Sequence, residues 1–555
     1  MSTTQPVQTS PHRRTAILQH LVVYAPVLIA VLILLPRLLS PQFGLFDDGK
    51  SIVTALQISH GNWSFQFDQG DGRFRPIYWL SFALVYLVFG LRPFWFFLVN
   101  ALILAITTYC LIRFLLNLGR GHWQAGLTGL AFVLAGPVIE NYYTLSKGEP
   151  WQVLFLALSL LAFSHRRRSS WWWTRIGWVS LMAALMLLAD FSKETSLVIA
   201  PIALVWYLGD RWLQHSRKGS APRLDYGEYL LAGVISALLY VLLRMAAVPA
   251  GLHTEGYTNN YVFTLAQVQA SLLRWSGWLM RDFAYLAPLV LGAAIVGAAG
   301  KKLPQAMLMF QALVWVAGWV AVFLPWYYMA EYYMLPAAIG LAVFVGALLE
   351  VMAGAWRSPA KWLMGVGGLF LAAAVLLFLL ILPGTLTSAR IQLAVDASND
   401  QALRTIARSA PQDSTVLVNI QVANEYVEEI QYLLPTYYHR PDLVVETFHS
   451  QQLGSSGTYY VLSPQVTHQP LLTVRMGVVE ATQDAWDAGL QAYLAAHPGW
   501  QKIATIQHHF RMSVLDLPRL LCRLIKTRAF CATPSPLVDT RPFTYGWTIY
   551  QQVLP

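Results

Sequence analysis

From about residue 21 to residue 383 the chain is a succession of long apolar runs parted by short charged breaks. This pattern constrains the fold more than any motif. A run of ~20 apolar residues crosses a bilayer core as a helix, and in lipid only helices and closed barrels satisfy their own backbone. The chain is 56% hydrophobic and 12% charged, against about 25% charged in a soluble domain. The first run, about Leu21–Leu39, is longer than a signal-peptide core and lacks a small-residue cleavage site, so it reads as a retained helix. Further spans are expected at 94–118, 123–139, 150–164, 174–191, 196–209, 227–248, 284–300, 304–325, 331–351 and 362–383. The expectation is a polytopic α-helical membrane protein of about 11 transmembrane helices over 1–383. After it, 384–555 alternates helix-like and strand-like stretches and predicts a soluble α/β domain.

The net charge of +10 does not point to nucleic acid. The cations sit in short clusters between apolar runs: Arg120, Arg166–Arg168 with Arg175, Arg211 to Arg223, Lys301-Lys302, and Arg357 with Lys361. With the N-terminus in the cytoplasm, all of these fall on cytoplasmic loops, as the positive-inside rule requires. The tail then lies outside the cytoplasm. The run Ile77–Phe89 has about thirteen apolar residues, short for a span. If it crossed, every later loop would flip, so it is expected to lie in the interface. Of the three cysteines, Cys110 falls inside an apolar run, whereas Cys522 and Cys531 lie close together in the tail and are able to pair in an oxidising compartment.

Chemistry gathers on the outer side. The first outer loop, 41–92, holds Asp47 and Asp48 flanked by Gly44 and Gly49, whose backbones turn tightly and admit close approach. Like charges beside a bilayer push one carboxyl upward, and a raised carboxylate serves as a general base near neutral pH. The two acids also offer weak ligands for a divalent cation, Mg or Mn. Arg73 and Arg75 follow, with forks suited to phosphate. The turn Asn141–Glu149 presents Lys147 and Glu149, and Asp190-Phe-Ser-Lys193-Glu194 places charges at a membrane edge, with Lys193 expected to pair with Asp190 or Glu194. A long outer loop, 249–283, carries Arg274 and Arg281, and Glu331 sits among tyrosines. A transporter would place ionisable groups near the midplane. Here the middles of the spans are almost free of charge, as suits a one-sided enzyme.

Five pieces in order carry a resemblance: Phe46-Asp47-Asp48, Arg75-Pro76-Ile-Tyr-Trp-Leu-Ser, Phe89-Gly90-Leu-Arg-Pro-Phe with Leu98-Val-Asn100, Ser192-Lys193-Glu194-Thr195, and Glu331-Tyr-Tyr-Met-Leu-Pro336. Over about 20–350 the chain resembles the GT-C superfamily of integral-membrane glycosyltransferases, most of all bacterial relatives of the protein-mannosylating branch that carries tetratricopeptide repeats. The tail has no such repeats, so that branch's acceptor does not carry over. The resemblance implies a polyprenyl-phosphate-linked sugar donor, a glycan, lipid or protein acceptor, and a first-loop acid as general base: Asp47, with Asp48 second. It leaves metal dependence open. It also implies a multi-pass protein of the cell inner membrane. The rival readings are a flippase of polyprenyl-linked glycans, a ligase using polyprenyl-pyrophosphate donors with His253 in a suitable loop, and a receptor whose tail binds. In a variant lacking the native cysteines, Asp413→Cys is expected to react with an impermeant maleimide on intact cells and Ser169→Cys only after permeabilisation. The opposite labelling would overturn the orientation.

Overall fold

Helices occupy every position at which a span is expected. The computed structural model describes residues 11–63, 72–166, 171–215, 226–248, 260–300, 305–327, 330–356, 360–420, 424–449, 458–466, 477–511, 514–515, 538–539 and 542–553. His253, Cys522 and Cys531 lie outside the described residues. In order, α1 (Pro11–Ile33) and α2 (Leu35–Leu39) form the first span, α3 is Asp48–Ser59, α4 Pro76–Phe89, α5 Pro93–Asn117, α6 His122–Val133 and α7 Gly136–Tyr143. Then come α8 (Glu149–Arg166), α9 (Trp172–Ser192), a 3-10 turn (Glu194–Val198), α10 (Ile199–His215), α11 (Tyr226–Ala247), α12 (Leu265–Phe283), α13 (Leu286–Gly300) and α14 (Ala306–Phe323). A second 3-10 turn (Glu331–Met334) leads into α15 (Leu335–Trp356), and α16 runs from Lys361 to Ser409.

Among the described residues, seven helices are long and apolar enough to cross a membrane, or eight if the pair α12 and α13, bent by 81°, counts as one span. The chain is a multi-pass membrane protein. Among the described residues the other expected spans are shorter or broken helices, for local reasons. Gly136-Pro137 breaks the 123–139 run into α6 and α7, and the 196–209 run opens with a 3-10 turn. α4 has 14 residues and falls short of a span, as expected. The stretch 249–283 differs from the loop expected, because its second part is the helix α12. Thr264 caps that helix, its hydroxyl accepting from the Gln267 amide. The sequence hides the helix because only one of its faces is apolar.

α16 is the connection that matters. Its 49 residues reach about 70 Å at 1.5 Å per residue, more than twice a hydrocarbon core of about 30 Å. The helix therefore passes residue 384 without interruption and stands out of the membrane. The expected tail helix Asn399–Arg408 is its outer end. The tail then supplies β1 (Thr415–Val418), α17 (Asn424–Thr436), β2 (Val444–Thr447), β3 (Tyr459–Val466), α18 (Gly477–Ala496), β4 (Trp500–Arg511), β5 (Val514–Leu515), β6 (Val538–Asp539) and β7 (Pro542–Gln552). Five of these strands form one sheet in the order β2-β1-β3-β7-β4. β1 is parallel to β2 and β3, while β7 is antiparallel to β3 and β4. This is the α/β tail that the alternation predicts, with helices crossing between parallel strands.

Two large apolar cores result among the described residues, beside a small cluster on the tail sheet. One lies inside the helix bundle. The other joins the first outer loop to the tail: Phe43, Leu45, Ile52 and Tyr78 bury against Leu403, Ile406, Tyr426 and Ile430. At their junction, Arg37 of α2 pairs with Asp396 of α16, and its guanidinium also lies 4.0 Å from the Phe97 ring centre. Arg37 is 1% exposed. Removing one partner of such a pair strands a buried charge. Asp396→Ala is expected to cost about 3–5 kcal/mol, read as a lower melting midpoint in detergent. An unchanged midpoint would deny the pair a role in holding the outer end of α16.

Candidate functional site

The acidic pair sits where α3 begins. Asp47 is its N-cap residue at φ 58°, a left-handed corner that Asp tolerates better than most side chains. Non-glycine residues held there mark turns under constraint. Asp48 opens the helix and is 3% exposed. Its carboxylate accepts from the Gly44 amide at 2.7 Å and from the Ser146 hydroxyl at 2.6 Å. Ser146, at φ 39°, is held in turn by Tyr78, whose hydroxyl donates to the Ser146 carbonyl at 3.1 Å and lies 3.2 Å from Ser51 Oγ. Burial pushes the Asp48 carboxyl up to about 7, with Ser146 and Gly44 drawing it partway back and Asp396 adding to the rise. The expected rise of one carboxyl is present, but burial causes it rather than repulsion between the two neighbours. Asp47 is half-buried, and no described residue donates a hydrogen bond to its carboxylate.

The glycines act differently from the expectation that they admit a ligand. A Cβ on Gly49 would stand 2.7 Å from Glu429 Oε2 and 2.9 Å from Tyr432 Cβ, and one on Gly44 would stand 3.1 Å from Asp396 Oδ1. Both positions admit the tail. A cavity of about 50 Å³ opens beside them, with Asp48, Thr144, Gln392, Asp396, Asn399 and Tyr426 among its walls.

The remaining predicted residues fall into two groups. Lys147 follows Ser146 in the chain: its ammonium lies 4.0 Å from the Tyr332 ring centre and 5.9 Å from that of Phe46, and among the described residues it has no carboxylate partner. Lys193 shares the same wall, 4.8 Å from the Tyr333 ring centre. Its partner is Glu149 at 2.6 Å, not the expected Asp190 or Glu194. Asp190 instead accepts from Ser236 at 2.5 Å, and Glu194 pairs with Arg73 at 2.9 Å. Burial alone would push the Glu194 carboxyl up, but Arg73, Arg75 and Lys193 outweigh it and hold it at about 2. Arg75 lies 4.7 Å from the Tyr78 ring centre and 5.7 Å from that of Trp79. Glu331 binds Arg281, which also pairs with Asp282 at 2.6 Å. Arg274 is exposed and makes no hydrogen bond or ion pair with the described residues. The structure does not bring it to the others.

Several residues escaped the sequence reading. Ser146 looks like any turn serine, and Glu429 stands in an ordinary amphipathic helix of the tail. Arg37 did carry a signal, being a charge near the end of an apolar run. A resident cation does not fit the donor set. Both oxygens of Asp48 are engaged, and no group of three His, Cys, Asp or Glu side chains able to hold a metal occurs among the described residues.

No family model matches the chain, and no curated protein matches it. Among solved structures it is similar to ArnT from Cupriavidus metallidurans bound to undecaprenyl phosphate, with 14% identity over 94% of this chain and 97% of that one and a TM-score of 0.47. It is also similar to the archaeal oligosaccharyltransferase AglB from Archaeoglobus fulgidus in complex with an inhibitory peptide and a dolichol-phosphate. There the identity is 12% over 76% of this chain and 64% of that one, with a TM-score of 0.47. Likeness at this level transfers no residue role.

Ser146→Ala removes a hydrogen bond that favours the charged form of Asp48, so its titration is expected to move above pH 7. Infrared difference spectra would follow the protonated carboxyl band, using Asp48→Asn as the blank. A midpoint that stays or falls would contradict this arrangement.

Proposed function

We propose that this protein is a membrane glycosyltransferase that moves a sugar from a polyprenyl-phosphate carrier to an acceptor hydroxyl at the outer face of the membrane. The supporting observation is a half-buried carboxylate, Asp47, whose oxygens are not taken by any described residue, joined through the Asp48–Ser146 hydrogen bond to the turn that carries Lys147, whose ammonium meets the Tyr332 ring and no carboxylate among the described residues. The five-piece GT-C resemblance points to the same loop.

Asp47 takes the proton as the acceptor oxygen attacks the anomeric carbon. The bond from that carbon to the phosphate oxygen breaks, its electron pair leaves with the phosphate, and the configuration inverts. A phosphate leaves without needing a proton. Lys147 supplies positive charge where the phosphate charge develops, and Arg75 and Lys193 lie on adjoining surfaces. Arg281 does not serve that charge, since Asp282 and Glu331 already neutralise it. Asp48, with both oxygens engaged, positions the turn that carries Asp47. The prenyl chain is assigned to the apolar surface of α4, where Leu84, Leu87 and Val88 are exposed. The reading also places this face outside the cytoplasm, in the cell inner membrane, because nucleotide sugars are cytoplasmic and an outer-face transfer needs a lipid-borne donor. No step passes through a metal, so EDTA is expected to leave the rate unchanged.

Asp47→Asn is expected to lower transfer about 100-fold or more, the scale of a lost general base, while folding and membrane insertion persist. Lys147→Met is expected to lower kcat/KM about tenfold or more. Release of labelled polyprenyl phosphate by purified protein in detergent measures both. Near-normal turnover by Asp47→Asn would remove the base assignment.

A further inference from the structure

The tail reaches the acidic pair through one side chain. Glu429 of α17 is completely buried, and its Oε2 accepts the backbone amide of Gly49. Gly49 is the second residue of α3, one position after Asp48. The approach uses all the space there, since Glu429 and the Tyr432 stem occupy the place of a Gly49 side chain. The contacts on either side repeat the pattern. Lys50 pairs with Glu428 at 2.9 Å, and the Phe46 ring meets Tyr426 edge-on at 5.8 Å. Residues 46, 49 and 50 are thus each gripped by α17, and Asp47 and Asp48 lie between them.

We propose that Glu429 is a positioning residue: from the tail it fixes the first turn of α3, so that transfer depends on the tail being docked on the first outer loop. The proposal rests on the reading of Asp47 as the base. A buried amide at a helix head has no intrahelical acceptor, and leaving it unmatched carries the full desolvation penalty. Glu429 removes that penalty only while α17 is in place. Its other oxygen is buried without a hydrogen-bond partner among the described residues. Burial first, and then the charges of Asp47 and Asp48, push its carboxyl well above the usual range. The neutral acid therefore suits the site, and glutamine is its isostere.

The test uses the full chain in detergent and two readouts: deuterium exchange of peptides covering 44–55, and release of polyprenyl phosphate from a membrane lipid extract charged with radiolabelled polyprenyl-phosphate sugars. Glu429→Ala is expected to speed exchange about tenfold and to lower kcat at least as much, with the KM for donor lipid held within about twofold, because the apolar surface of α4 assigned to the prenyl chain is untouched. Glu429→Gln is expected to recover most of both losses. If Glu429→Ala does not fold, Glu429→Asp replaces it and is expected to fail in the same way, being one methylene short of the Gly49 amide. Wild-type exchange together with wild-type kcat in Glu429→Ala, or a Gln variant as impaired as Ala, would overturn the proposal. Exchange at 44–55 does not depend on the reaction. If Asp47→Asn turns over normally while Glu429→Ala still loosens α3, the base reading fails and the docking contact stands.

Discussion

Everything at the outer face depends on a helix from one end of the chain lying on a loop from the other. α17 rests on the head of α3, and Gly49 makes that approach sterically possible. The contact excludes water from Asp48, and burial is the main cause of its raised carboxyl. The same packing merges the loop and the tail into a shared apolar core. Neither piece has this environment alone. The loop without the tail would expose Phe43, Leu45 and the first turn of α3, and an exposed Asp48 would titrate like an ordinary carboxylate.

α16 makes the contact geometrically feasible. A span that ended at residue 384 would leave the tail on a flexible tether. A continuous helix instead carries the tail outward in a fixed direction, and the Arg37–Asp396 pair ties its outer part to the first span. The buried pair is poor evidence for net stability, because desolvation offsets its attraction. Its value is as a register mark: it sets which face of α16 meets the Gly44–Asp48 loop, and so where Gln392, Asp396 and Asn399 stand around the cavity.

The fold was largely legible, because hydropathy reads a bilayer directly. Every expected span position is helical, and the α/β tail follows the alternation of its sequence. The failures have two causes: an amphipathic helix, and partners distant in sequence. α12 is amphipathic, so an apolar-run criterion passes over it. Local sequence pairs Lys193 with its neighbours Asp190 or Glu194, whereas its partner Glu149 comes from another helix. Gly44 and Gly49 are places of close approach, as their sequence suggests, but the approaching group is Asp396 or Glu429. Of the candidate residues, the first-loop acids, Lys147, Lys193 and Glu149 come together in space. Arg274 does not, and nothing in its local sequence distinguishes it from Arg281.

The central claim is that this face breaks a sugar–phosphate bond. Purified wild-type protein, given a lipid extract charged with radiolabelled polyprenyl-phosphate sugars, tests it directly by the appearance of free polyprenyl phosphate. The account predicts stoichiometric release of the lipid phosphate as label moves to an acceptor. Labelled lipid that binds at the outer face and is never cleaved would contradict it, and the acidic loop would then be the gate of a lipid carrier.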